Sequence, residues 1–154
     1  MQRRTFLKGT LAGSAVAVAI GAGLLTPRTV LAAWPKAAFE AKTVEDALAG
    51  LYGSAANTPS ADIKIKAPDI AENGAVVPVS VSTSLGNVDS IAVIAEKNGT
   101  PLASNFKLAA NTLADVSTRI KMGKTSDVIA VVKAGGKAYS ARKNVKVTIG
   151  GCGG

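Results

Sequence analysis

The sequence contains no histidine, one cysteine, and few aromatics: one tryptophan, two tyrosines and three phenylalanines. Without imidazole, neither a Ser-His-Asp nor a Cys-His nucleophile system can be assembled within the chain. One thiol and no imidazole leave no ligand set for an ordinary zinc or copper site, so no metal is expected. Haem attachment through paired cysteines and an internal disulfide are both excluded. The acidic residues are scattered over turns and polar faces, and no carboxylate pair for acid–base work stands out. No catalytic residue is assigned. Basic runs interleaved with aromatics are missing, so nucleic acid is not an expected partner.

What is present begins with an export signal. Arg3-Arg4-Thr5-Phe6-Leu7-Lys8 precedes an uncharged, Ala/Gly-rich run from Leu11 to Leu25, followed by the small residues Ala32 and Ala33. A charged start, a short apolar core and a small-residue exit describe a signal peptide, and the adjacent arginines Arg3 and Arg4 indicate the twin-arginine route. The apolar run is too short and too rich in small residues for a good transmembrane span, which needs about 20 strongly apolar residues. The expected signal covers residues 1–32, with cleavage after Ala32 or one residue later. It carries Arg3, Arg4, Lys8 and Arg28 and no acid, so its removal lowers the net charge from +8 to +4. That is an ordinary soluble surface, with no membrane association expected after cleavage.

The remaining chain suits one domain with a modest core. Residues 33–53 are the N-terminal helical segment, with one helix predicted over Pro35 to Gly53. Ala37, Ala41, Val44, Leu48 and Leu51 step by four and three along one stripe. The stripe has two readings, as core of its own domain or as a docking face for a partner subunit. Ser54 to Ser60 has the composition of a linker.

Residues 61–149 read as strands: 62–66, 75–83, 88–95, a weak one at 106–109, 115–122, 127–134 and 137–149. Turn signals separate them at Glu72-Asn73-Gly74, Leu85-Gly86-Asn87, Asn98-Gly99-Thr100-Pro101, Gly123-Lys124 and Gly135-Gly136. About seven short strands predict a mainly β fold, an immunoglobulin-like antiparallel β-sandwich. Gly135-Gly136 predicts a tight hairpin, and Pro78 inside a strand predicts an edge or a bulge.

The chain closes on Gly150-Gly151-Cys152-Gly153-Gly154. Glycine visits both signs of φ and adds no side-chain width, so residues 150–154 read as a flexible, thin arm carrying a thiol. Five extended residues span at most roughly 16–18 Å, enough to present the thiol inside a narrow channel of another protein. An incidental cysteine on a frayed terminus is the bland alternative, but glycine is only about 7% of average usage and four flank this one residue. Lys143 and Lys146 upstream favour the thiolate and the terminal carboxylate opposes it. Neither a second cysteine nor a base is present to activate Cys152, so activation falls to whatever enzyme the arm enters. A structural module that crosslinks through Cys152 is the competing class. A thiol oxidoreductase is weakened by the missing second cysteine.

Val147-Thr148-Ile149 running into the terminal Gly-Gly-Cys-Gly-Gly resembles the SoxY family, sulfur-carrier subunits of bacterial thiosulfate oxidation. Ala67-Pro68, Ile70-Ala71-Glu72-Asn73-Gly74-Ala75, Val77-Pro78-Val79, Glu96-Lys97-Asn98, Pro101-Leu102 and Thr118-Arg119-Ile120-Lys121-Met122 extend the resemblance over essentially the whole chain. One departure, Asn98-Gly99 where proline is expected after the asparagine, concerns a turn. The resemblance implies a periplasmic heterodimer with SoxZ, exported together by the twin-arginine route. It implies that the haem enzyme SoxAX joins thiosulfate oxidatively to Cys152 as a cysteine S-thiosulfonate. SoxB then hydrolyses the terminal group as sulfate, and SoxCD, where present, oxidises the remaining sulfur. The chain itself is then a covalent carrier and not an enzyme. It needs no cofactor beyond the sulfur held on Cys152.

Overall fold

Two consecutive helices, not one, follow Pro35 in the computed structural model, which describes residues 34–148. Helix α1 spans Lys36–Glu40, and the chain leaves helical geometry at Ala41, where ψ is 144°. Helix α2 spans Val44–Tyr52. Thr43 is extended, and its hydroxyl accepts the Asp46 N–H at 3.1 Å, an N-cap that starts a new helix. Glu45 and Asp46 lie in the first turn of α2, where their charge suits the positive end of the helix dipole. Gly53, at φ 77°, ends α2 with its N–H on the Ala49 carbonyl.

The break resets the phase of the apolar stripe. Ala38, Ala47 and Leu48 are buried, Ala41, Val44 and Leu51 are half-buried, and Ala37, expected on the stripe, is exposed. The buried face packs on the domain's own sheet, which settles the reading of the stripe in favour of core. The two helices also pack closely on each other, since a Cβ at Gly50 would stand 3.0 Å from Ala38.

Among the described residues nine strands follow: β1 (Thr58–Pro59), β2 (Ile63–Lys66), β3 (Ile70–Ala71), β4 (Val77–Thr83), β5 (Val88–Ala95), β6 (Leu102–Lys107), β7 (Asp115–Ile120), β8 (Ser126–Ala134) and β9 (Lys137–Val147). The larger sheet has the order β1-β9-β8-β5-β6, with β3 also on β9, and the smaller is β2-β4-β7. The seven longer strands pair antiparallel, as expected for the immunoglobulin-like sandwich. The short β1 and β3 differ by pairing parallel with β9, and β1 falls inside the segment expected to be linker. The chain there is tied down by Ser60 N–H to the Ser140 carbonyl at 2.9 Å and Ser140 Oγ to Asn57 Oδ1 at 2.7 Å.

Both faces of the central strands are buried. Ile91, Val93, Val128, Ala130 and Val132 face the small sheet's Val77, Val79 and Val81, whereas Ala92, Ile94, Ile129 and Val131 face the helices. This explains why Ile91-Ala92-Val93-Ile94-Ala95 and Val128-Ile129-Ala130-Val131-Val132 read as unbroken apolar runs without alternation. A fully buried Val or Ile contributes roughly 1.5–3 kcal/mol, so these two layers, more than any hydrogen bond, hold the strands in register.

Gly135 and Gly136 close the β8–β9 hairpin at φ 55° and 78°, values a residue with a side chain reaches only under strain. Pro78 lies on β4 opposite Arg119 of β7, but β2 pairs with β4 only from Ser80 onward. The chain at Pro78 is therefore a local sheet edge, where a missing N–H costs no ladder bond.

Candidate functional site

The last strand carries the chain toward Cys152, so the functional geometry starts with how β9 ends. The register pairs Ala95 with Val128 and Ser126 with Val145, which brings the end of β5, the start of β8 and the end of β9 to one end of the sandwich. β9 is held there on both sides. On one side, β3 runs parallel to it: Lys146 N–H donates to the Asp69 carbonyl at 2.9 Å and Thr148 N–H to the Ala71 carbonyl at 3.1 Å. On the other side, the Thr125 hydroxyl accepts the Val147 N–H at 2.9 Å and donates to the Val147 carbonyl at 3.4 Å.

Gly74 closes this base from the small-sheet side. Its carbonyl accepts the Met122 N–H at 2.7 Å. A Cβ at Gly74 would collide with the Met122 carbonyl oxygen and stand 2.8 Å from Val147 Cγ1, so the position has no room for a side chain. Asn98 adds a third tie, donating from Nδ2 to the Lys121 carbonyl at 2.6 Å and accepting the Gly123 N–H on Oδ1 at 3.0 Å. The sequence reads Asn98 and Gly74 only as turn residues; here they bolt the β5–β6 turn and the β3–β4 turn to the β7–β8 loop.

Charge at this end is unevenly distributed. Arg142 on β9 reaches Glu96 Oε1 at 2.9 Å and Asp127 Oδ2 at 3.8 Å. Lys143 pairs with Asp69 at 3.1 Å, so it is already matched by a carboxylate and is not the uncommitted cation that its position in sequence suggests. Lys146 is exposed on β9 opposite Ile70. By contrast, Lys42, Lys97, Lys121 and Lys124 line one open cleft of about 600 Å³ and belong to none of the ion pairs among the described residues. Nothing in the sequence flags this group, because its members come from three separated segments.

A displaced pKa lies elsewhere, on the helical side. Burial pushes the Tyr52 hydroxyl up, partly offset by its hydrogen bond with Ser90 Oγ at 3.3 Å. Lys133 Nζ lies 5.5 Å from the centre of the same ring, a cation–π contact that joins α2 to β8. Tyr52 is packing, remote from the end of β9.

The residues singled out in sequence lie outside the described residues: Arg3 and Arg4 at one terminus, and Gly150, Gly151, Cys152, Gly153 and Gly154 at the other. The structure shows instead how the chain that leads to Cys152 is held, by hydrogen bonds as far as Thr148. Among the described residues, no helix is long and apolar enough to cross a membrane.

Comparison with known proteins fits this arrangement. No match was found among curated proteins. A superoxide reductase (neelaredoxin) from Ignicoccus hospitalis is 20% identical over 60% of this chain and 81% of its own, with a TM-score of 0.50, and shares the fold alone. The sulfur carrier protein SoxY from Chlorobium limicola f thiosulfatophilum is 43% identical, covering 70% of this chain and 97% of its own, with a TM-score of 0.64. The family model of the sulfur oxidation protein SoxY matches residues 48–152, a span that runs through the sandwich and includes Cys152. The chain belongs to the SoxY family of sulfur oxidation proteins.

Proposed function

We propose that this protein is a covalent carrier of sulfur intermediates, with Cys152 as the point of attachment and Gly150, Gly151, Gly153 and Gly154 as a swinging arm. The observation that carries the reading is the family match running through Cys152, the one thiol in the chain. The fixed base at Val147 and Thr148 supports it, because an arm has a defined reach only if its root does not move.

The chemistry balances with the chain as substrate. Cys152 thiol and thiosulfate combine into Cys–S–S–SO₃⁻ with loss of one proton and two electrons, which pass to the haem enzyme SoxAX. Hydrolysis by SoxB adds water across the terminal S–S bond, releasing sulfate and leaving a persulfide on Cys152. SoxCD, where present, oxidises that outer sulfur. This chain supplies none of the catalytic groups and no resident cofactor. Tethering keeps the anionic intermediate at high effective concentration from one docked enzyme to the next.

Residues 1–32 are the proposed twin-arginine signal, with Arg3 and Arg4 as its recognition pair. Residues 33–53 and 61–149 form the proposed helical segment and sandwich domain of the exported protein. The periplasm is the proposed location, with SoxZ as the proposed partner in a heterodimer. Cys152→Ser tests the assignment: thiosulfate-dependent respiration should be lost while the thermal midpoint of the purified protein is unchanged. Unfolding of that variant would point to a structural cysteine instead.

A further inference from the structure

The four lysines of the open cleft come from three parts of the chain that the fold alone brings together. Lys42 sits between α1 and α2, Lys97 in the β5–β6 turn, and Lys121 and Lys124 in the β7–β8 loop. Asn98 and Thr100 complete the polar lining. Asn98 is not a free ligand group, because its amide is spent on Lys121 and Gly123; its role is to hold two lysine-bearing loops against each other. The acids closest in sequence are engaged or outside the lining: Glu40 pairs with Lys36, Glu96 with Arg142, and neither they nor Glu45 line the cleft. The result is a concave site with four cations and, among the described residues that line it, no carboxylate. Such a shape focuses a positive potential, and ammonium groups act as point-charge partners for multiply charged oxyanions. Its volume falls in the ~300–1,000 Å³ range of small-molecule sites.

Position gives the cleft its meaning. Lys124 lines it, and the next residue, Thr125, is hydrogen-bonded to Val147 at the end of β9. From Thr148, where the tie to Ala71 ends the fixed base, four extended residues to Cys152 reach at most roughly 13–14 Å. The cleft thus opens beside the root of the arm.

We propose that this cleft is a binding site for sulfur oxyanions, formed by Lys42, Lys97, Lys121 and Lys124. The ligand chemistry is a tetrahedral –SO₃⁻ group, which has two sources: free thiosulfate, or the sulfonate end of the adduct on Cys152. Both sources rest on the sulfur-carrier reading above; the cationic cleft itself does not.

The test uses the exported protein with whatever partner chain accompanies it, ¹⁵N-labelled and observed by its amide signals. The Cys152→Ser protein, which cannot be loaded, is titrated with sodium thiosulfate against sodium chloride of equal ionic strength. The wild type is loaded with tetrathionate: the thiolate attacks an inner sulfur, giving Cys–S–S–SO₃⁻ and expelling thiosulfate. Intact mass scores the loading independently, so failure of the carrier reading and failure of the cleft are separate results. The expected outcome is saturable shifts at Gly99, Thr100 and Lys124 that chloride does not reproduce. Lys97→Gln with Lys124→Gln should weaken binding roughly tenfold, as removal of two modest charge contacts implies. The same charge change at Lys64 and Lys66, exposed on the small sheet, should leave it unaltered. Shifts with free thiosulfate alone assign the site to the free ion, and shifts in the loaded protein alone assign it to the arm; either supports the site. Absence of cleft-specific shifts in both, or equal loss in the Lys64/Lys66 control, overturns it.

Discussion

The Thr125 hydroxyl accepts the Val147 N–H at 2.9 Å and donates to the Val147 carbonyl at 3.4 Å, closing a two-way bond between the β8 approach and the end of β9. Among the described residues this is the last side-chain tie on that flank of β9, and it fastens the strand end to the β7–β8 loop.

Thr125→Val keeps the shape of the side chain and removes both bonds. A net loss of about 1–2 kcal/mol is expected, since each intramolecular hydrogen bond is usually worth about 0.5–1.5 kcal/mol. Hydrogen exchange should accelerate at Val147 and Thr148 and stay unchanged in β5 and β8. Uniform acceleration across the sheet would mean that Thr125 supports the whole domain instead of its end.

Gly74→Ala should be more costly than its one methyl suggests. The new Cβ meets a backbone carbonyl, that of Met122, which cannot rotate aside, and Val147 Cγ1 stands close behind. Overpacking of this kind costs about 1–3 kcal/mol. Urea unfolding should show a lower midpoint with an unchanged slope. An unaltered midpoint would show that the β3–β4 turn yields freely.

Tyr52 gives a pH dependence of known sign. Burial raises its pKa in the folded state above the ordinary value near 10. Below that value both states keep the proton and stability does not depend on this group. Above it the unfolded chain ionises first, so stability falls as pH rises toward the folded-state pKa. Tyr52→Phe should flatten that alkaline slope in unfolding measurements between about pH 9 and 11. An equally steep decline in the variant would place the titrating group elsewhere.

Local chemistry makes much of this fold legible. Gly135-Gly136, Gly86-Asn87 and Asn98-Gly99 mark turns through their own backbone preferences, and Val77, Val79 and Val81 alternate as a strand with one buried face must. The helix break shows what a pattern can hide. The stripe of Ala41, Val44, Leu48 and Leu51 runs across it, while the capping signal of Thr43 with Asp46 three residues later outranks periodicity. β1 and β3 are not legible, since two residues carry no period and their parallel partners lie on the distant β9. The apolar pattern places β6 too late, at 106–109, because Ser104 and Asn105 interrupt it, and only pairing with β5 makes Leu102–Lys107 a strand. Cys152 stands out from its glycines alone. The lysine cleft does not, because Lys42, Lys97 and Lys121 become neighbours only through the topology.

The most direct test of the carrier account is the intact mass of this protein purified from cells oxidising thiosulfate. The account expects sulfur adducts on the peptide containing Cys152, removed by a thiol reductant and absent from the Cys152→Ser protein. A population carrying only the unmodified thiol, or only a disulfide to another protein chain, would contradict it.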